Sequence, residues 1–273
     1  MKKMLVFTDL DGSLLDHHDY SWSKATPALQ ALEEQDFPVV FTSSKTAAEI
    51  IILKQQIANR HPFISENGAA VGIPTGYFEP GHDHGDDFQQ IESQLFSTGY
   101  QEIVEALIEV RRGDKYNLRG FYEMDIAEIA STTGLDYEQA KNAKQRQASE
   151  PLLWRDTRLA FDEFKNDLSS KGLFLISGGR FSHVMGDASK GKAVAWLLQK
   201  YRDAQPDVEW VTVGLGDSYN DVQMLEVVDY PVLISNANIR QPELSHIKNI
   251  QTPPLRGPAG WNQAILGLMK KIL

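Results

Sequence analysis

The chain contains no cysteine. Disulfides, zinc–thiolate centres and thiol nucleophiles are therefore excluded. Positive charge is scarce: 27 Lys and Arg face 37 Asp and Glu, a net charge of −10. Such a surface repels the phosphates of nucleic acids and anionic lipids, so neither is an expected partner. No stretch approaches the ~20 consecutive apolar residues that span a bilayer. The apolar run at residues 5–7 is too short for a signal-peptide core, and charge follows at once. The expectation is a soluble, cytoplasmic protein without a membrane partner. Internal repeats and low-complexity tracts are missing too. What remains is a globular composition, 42% hydrophobic and 23% charged over 273 residues. That length suffices for one large domain or two modest ones.

Residues 5–7 are closed by Thr8-Asp9, as expected of a strand buried on both faces of a parallel sheet. Thr26 and Pro27 predict a helix start, with Thr26 as cap and Pro27 at the first helical position. Strands are expected at 38–41 and 63–66. The helix between them opens on a Thr46–Glu49 capping box, and Asn67-Gly68 turns the chain. Beyond residue 186 the spacing predicts helices at 190–201, at 221–227 and after Pro258, with strands at 209–213 and 231–234. Such alternation implies right-handed crossovers and a parallel sheet.

The middle differs. Cap pairs at Asp125/Glu128 and Asp136/Gln139 open helices, and residues 151–155, 173–176 and 180–185 read as strands. The expected fold is α/β: a Rossmann-like parallel-sheet core from residues 1–81 and 187–273, with an α+β cap at 82–186. Residues 81–85 and 186–187 are the candidate hinges. His82-Asp83-His84 fits a solvated hinge better than a metal site. Trp154, Trp196 and Trp210 are expected in the core.

The chemistry concentrates at strand ends. Asp9-Leu10-Asp11-Gly12-Ser13 closes the first strand. Side chains alternate along a strand, so Asp9 and Asp11 can point the same way at the carboxyl edge, where open α/β sheets bind ligands. Two like charges so close call for a cation between them. A second acidic run, Asp217-Ser218-Tyr219-Asn220-Asp221, follows another strand and converges on the same edge. Carboxylate oxygens around one point suit Mg²⁺, a hard cation that keeps some waters and binds substrate phosphate. Asp9, Asp11, Asp217 and Asp221 are the candidate metal residues.

Thr42-Ser43-Ser44-Lys45, ahead of a helix, offers hydroxyl and backbone N–H groups to an anion. Lys190, at another helix start, can neutralise a phosphate and a crowded carboxylate. Read singly, each signal is weak. Thr42-Ser43-Ser44 also fits an ordinary helix cap, Lys190 a solvated lysine, and Asn67-Gly68 a bare turn. A calcium loop is disfavoured because Leu14 and Tyr20 fall where glycine and glutamate are needed. A glycosyltransferase Asp-x-Asp leaves the second acidic run and Lys190 without a role.

As a set, Asp9-Leu10-Asp11-Gly12-Ser13, the Thr42 strand end, Lys190-Gly191 and Gly216-Asp217-Ser218-Tyr219-Asn220-Asp221 resemble the four motifs of the haloacid dehalogenase superfamily in order and spacing. Ser13 stands where Thr is commoner and keeps the hydroxyl. The insert between the second and third motifs resembles that of members with a large α/β cap. Within the superfamily, Glu66-Asn67-Gly68-Ala69, Arg119-Gly120-Phe121, Thr133-Gly134-Leu135, Ser149-Glu150-Pro151 and Gly178-Gly179-Arg180-Phe181 are similar to the mannosyl-3-phosphoglycerate phosphatases.

The resemblance implies Mg²⁺-dependent hydrolysis of a small phosphorylated sugar acid. Asp9 is the expected nucleophile, forming an aspartyl-phosphate. Asp11 is the expected acid and then base, while Thr42 and Lys190 hold the phosphoryl oxygens. Mg²⁺ is expected on Asp9, the Asp11 carbonyl and Asp217, with Asn220 and Asp221 orienting Lys190 and the metal waters. The implied substrate is mannosyl-3-phosphoglycerate, or its glucosyl counterpart, or another sugar phosphate. Candidate substrate contacts are Ser43, Asn67, Gly68, Arg119, Gly179, Arg180, His183 and Asn220. Of these, Arg119, Arg180 and His183 either supply local positive charge for the substrate or serve only as surface ion pairs and structural groups. A phospho-sensor of the receiver kind and a phosphotransferase are the competing classes. Monomer and homodimer are both open.

Overall fold

A computed structural model describes residues 1–79, 90–113, 115–177, 181–236 and 241–272. The first strands and helices alternate as expected: β1 (Lys2–Thr8), α1 (Thr26–Glu34), β2 (Val39–Thr42), α2 (Ala47–Ile57) and β3 (Phe63–Ser65). Next come β4 (Ala70–Pro74) and β5 (Ile91–Leu95), then α3 (Tyr100–Val110), β6 (Leu118–Gly120), α4 (Ile126–Thr133) and α5 (Tyr137–Ala143). The chain continues through β7 (Ser149–Trp154), α6 (Arg158–Ser170), β8 (Phe174–Ser177) and β9 (Ser182–Met185). It ends with α7 (Lys190–Ala204), β10 (Glu209–Gly216), α8 (Val222–Glu226), β11 (Tyr230–Leu233) and α9 (Gly257–Ile272).

Two sheets result. The larger runs β11-β10-β1-β2-β3-β4-β5, parallel from β11 to β3 and antiparallel beyond. The smaller runs β6-β7-β9-β8 and is antiparallel throughout. The period-two rule explains the layering of the larger sheet. Met4 and Val6 of β1 pack with Leu32, Ile50 and Trp261 of α1, α2 and α9. Leu5 and Phe7 pack with Val194, Leu197 and Met224 of α7 and α8. Burying each such side chain contributes about 1.5–3 kcal/mol, so the apolar stripes hold helices on both faces. The smaller sheet is likewise covered twice. Ile103, Leu107, Phe164 and Leu168 of α3 and α6 lie on one face, and Ile129, Ala140 and Ala143 of α4 and α5 on the other.

Several local expectations shift. Ala25 caps α1, and Thr26 and Pro27 are its first two residues, because a 3-10 turn at Ser23–Ala25 leads straight into the helix. β5 falls inside the segment read as insert, yet it pairs with β4 at the edge of the larger sheet. Its side chains are mostly exposed, so no apolar alternation marks it. Glu66 is the start of a turn, not a strand end: Glu66, Asn67 and Gly68 carry φ of 50°, 59° and 92°. Trp210 is buried, whereas Trp154 and Trp196 are half-buried against the clusters. Among the described residues no helix is long and apolar enough to cross a membrane.

Candidate active site

The site begins where the parallel strands end. Asp9 extends the β1–β10 pairing by donating its N–H to the Leu215 carbonyl at 2.8 Å. The Thr8 hydroxyl donates to the Asp9 carbonyl at 2.7 Å and accepts the buried Trp261 indole N–H at 2.9 Å. α9 thereby fixes the backbone at Asp9. Gly12 then turns the chain at φ +80°, where a Cβ would meet Asp217 Oδ2 at 2.4 Å. Only glycine suits both the angle and the approach. β10 lies beside β1 and ends at Gly216, which brings Asp217 next to Asp9.

Asp9, Asp217 and Asp221 are 6%, 3% and 0% exposed. One oxygen from each lies within 4.8 Å of the others. Lys190, the first residue of α7, donates to Asp9 Oδ1 at 2.7 Å and to Asp221 Oδ1 at 2.5 Å. Asp221 Oδ2 accepts the backbone N–H groups of Asp217 and Ser218, each at 3.0 Å. One ammonium cannot balance three buried carboxylates. Burial and then the Asp221 charge push Asp9 well above the ordinary carboxylate value, against the pull of Lys190. The same two causes push Asp217 up to about 6. Burial works against the Lys190 charge, but Asp221 and Asp9 outweigh it and raise its pKa. Buried oxygens short of positive charge are the donor set of a divalent cation bound through oxygen.

A cavity of about 400 Å³ opens over these groups. Asp9, Asp11, Lys45, Asp217 and Asn220 line it from the larger sheet's loops, and Phe121, Arg146, Phe181 and His183 from the smaller unit. Of the expected contacts, Asn220 and His183 thus line the same cavity as the acids. Thr42 and Ser43 are buried and do not line the cavity. The Thr42 hydroxyl donates to the Val40 carbonyl at 3.3 Å, and the Ser43 hydroxyl accepts the Lys45 N–H at 3.2 Å. Asn67 accepts the Asn220 amide at 3.0 Å. Gly68 lets its turn approach α7, since a Cβ there would sit 2.2 Å from the Ser189 carbonyl. These two residues brace Asn220 and Lys190 and do not line the cavity. Arg119 is not brought there. It spends its fork on Glu128, at 2.9 and 2.6 Å. Gly179 and Arg180 lie outside the described residues, as do His82-Asp83-His84 and the hinge at 81–85.

Other groups join the site without having been singled out. Lys45 pairs with Asp11 at 2.9 Å. Burial opposes its charge, but Asp11 and then Glu49 hold its pKa up. Asn236 donates to Asp217 Oδ2 at 2.6 Å. Arg146 donates to the Ser44 carbonyl at 2.9 Å. Lys45 closes the Thr42-Ser43-Ser44 run, and Asn236 follows β11 at the same sheet edge, so both carry a positional signal. Arg146 carries none.

A family model described as haloacid dehalogenase-like hydrolase matches residues 6–247. Two relatives align along nearly the whole chain, covering 98% of each partner. One, from Methanococcoides burtonii, is 38% identical, and the other, from Persephonella marina, is 35% identical. Both are named glucosyl-3-phosphoglycerate/mannosyl-3-phosphoglycerate phosphatase. A crystal structure from Thermoplasma acidophilum shares the fold with a TM-score of 0.69 at 16% identity, over 98% of this chain and 99% of that one.

Proposed function

The chain belongs to the haloacid dehalogenase-like hydrolases, and on that premise we propose a Mg²⁺-dependent phosphatase of mannosyl-3-phosphoglycerate, with the glucosyl compound as second substrate. The observation that carries this reading is the buried contact of Lys190 with Asp9 and Asp221 beside Asp217. The names of both whole-chain relatives support the substrate.

Asp9 attacks phosphorus in line, and the bond to the glycerate oxygen breaks as the Asp9–phosphorus bond forms. Asp11 gives its proton to the departing oxygen. It then takes a proton from water, whose oxygen attacks phosphorus and frees Asp9. Lys190 holds Asp9 in place and offsets charge on the phosphoryl oxygens. Of the run ahead of α2, Ser44 and Lys45 line the cavity and meet the phosphoryl group, while Thr42 and Ser43, buried behind them, shape the strand end. Asp9, the Asp11 carbonyl and Asp217 would hold Mg²⁺. Asp221, whose two oxygens already take Lys190 and two backbone N–H groups, braces the set. Bound Mg²⁺ supplies charge stabilisation and relieves the repulsion among the carboxylates. Residues 82–186 serve as a cap that excludes water and selects substrate, with β5 as its rooted edge. The enzyme works in the cytoplasm.

Phosphate release tests this, with Mg²⁺ and with EDTA, across glycosyl-3-phosphoglycerates, sucrose phosphate, trehalose phosphate and hexose phosphates. A Mg²⁺-dependent preference for the glycosyl-3-phosphoglycerates is expected. Equal activity on hexose phosphates would overturn the substrate. No release from any ester, with a phospho-aspartate lasting minutes, would favour a phospho-sensor.

A further inference from the structure

The smaller unit contributes mostly apolar groups to the cavity, including Phe121, Leu135, Ala143 and Phe181. Phe121 and Phe181 pack edge to face, with ring centroids 5.2 Å apart. Among the described residues, Arg146 is the one charged side chain that this unit places on the wall. It is half-buried. The only hydrogen bond of its side chain among the described residues runs from Nη1 to the Ser44 carbonyl. Nε is buried and has no partner. No acid within the described residues forms an ion pair with it. Glu150 feels its charge, but the Glu150 carboxyl is already engaged by the Tyr122 N–H and the Tyr100 hydroxyl, both at 2.9 Å.

His183 shares the wall. It is only 7% exposed, and its Nδ1 has no partner. Burial, then the Arg146 charge, drives its pKa down to about 3, so the ring is neutral. An unpaired guanidinium edge beside an unsatisfied neutral imidazole is costly in a folded protein. Both cost and geometry are answered by one ligand group. The Ser44 carbonyl occupies Nη1, and a turn of the guanidinium about its stem brings the Nε–Nη2 edge, the pair of donors that matches a carboxylate, out to the cavity. The imidazole offers one more N–H to the same anion.

Resting on the phosphatase reading above, we propose that Arg146 and His183 form a carboxylate subsite that selects esters whose leaving alcohol carries an acid. The cavity is then divided by charge. Asp9, Asp11 and Asp217 take the cation and phosphoryl group, and Arg146 takes the second anion. Fixing both ends of the leaving group aligns the scissile bond with Asp9.

The test compares mannosyl-3-phosphoglycerate with its carboxyl methyl ester, using the full chain with Mg²⁺. The wild type is expected to prefer the free acid by about 30- to 100-fold in kcat/KM, the range of a charged hydrogen bond lost. In Arg146→Met the preference falls below about threefold, with KM for the free acid rising more than kcat falls. Arg146→Lys, which keeps charge but not the fork, recovers only part of it. A binding readout runs beside turnover: competition of D-glycerate against p-nitrophenyl phosphate, with glycerol as neutral control. Inhibition by glycerate that Arg146→Met weakens at least tenfold supports the subsite, even if no glycosyl ester proves a substrate. In that event only the phosphatase's substrate falls. A wild type that treats acid and methyl ester alike overturns the subsite. So does an Arg146→Met variant that loses both in equal measure, because it would then serve only to position Ser44.

Discussion

Glu66 Oε2 accepts the Ser149 hydroxyl at 2.7 Å, while Oε1 accepts the Gln147 N–H at 2.8 Å. Oε2 also takes the Ala148 N–H at 3.2 Å. A fully buried carboxylate from the larger sheet thus holds three consecutive residues at the entry to β7. Its backbone is left-handed, as are those of Asn67 and Gly68. Non-glycine residues in that region cost on the order of 1–3 kcal/mol each and persist only where surroundings over-determine them. The grip on residues 147–149 supplies that determination. It also ties the smaller unit to the loop that braces Asn220.

Glu66→Gln places an amide NH₂ where only donors wait. Unfolding stability is expected to fall by about 1–3 kcal/mol. Hydrogen exchange at residues 147–149 should quicken with it. A stability within about 0.5 kcal/mol of wild type would show that this contact does not anchor the smaller unit.

Lys190→Met removes the ammonium shared by Asp9 and Asp221. Turnover is expected to drop by at least ~10³-fold, since a charge aimed at the phosphoryl oxygens is lost. Stopped-flow or coupled phosphate assays measure it at saturating substrate. Retention of more than about a tenth of wild-type kcat would remove Lys190 from the mechanism.

Asp9→Asn keeps the shape of the nucleophile but not its charge. Turnover should fall to background while calorimetry still detects substrate. Full activity in this variant would sink the aspartyl-phosphate route.

Lys54 gives a pH prediction remote from the site. Its ammonium donates to Asn59 Oδ1 at 2.7 Å and to the His61 carbonyl, between Phe41 and Phe63. Burial lowers its pKa to about 7. Between pH 7 and the ordinary lysine value the unfolded chain binds the proton and the folded chain releases it. Wild-type stability therefore gains from this group as pH rises through that window, by about 2 kcal/mol from pH 7 to 9. Lys54→Met should lack that increment in denaturant unfolding run at both pH values. Parallel pH slopes in the two proteins would refute a depressed Lys54.

The parallel core and the residues at its carboxyl edge are legible in the order of the amino acids. Periods of two and 3.6, strand-end acids and helix caps are local properties, each held within a short window of the chain. Asp125 and Asp136 cap their helices as expected, accepting the N–H groups of Glu128 and Gln139. β5 escaped because an exposed edge strand leaves no apolar alternation to read. The tertiary structure alone decided which polar groups meet. Arg119 turned to Glu128, nine residues on, because a fork fits a nearby carboxylate. Arg146 reached Ser44 across 102 positions of sequence, and Glu66 reached Ser149 across 83. The contacts of Arg146 and Glu66 follow from how two sheets dock. No short window of the chain holds both partners, so no spacing rule could have found them.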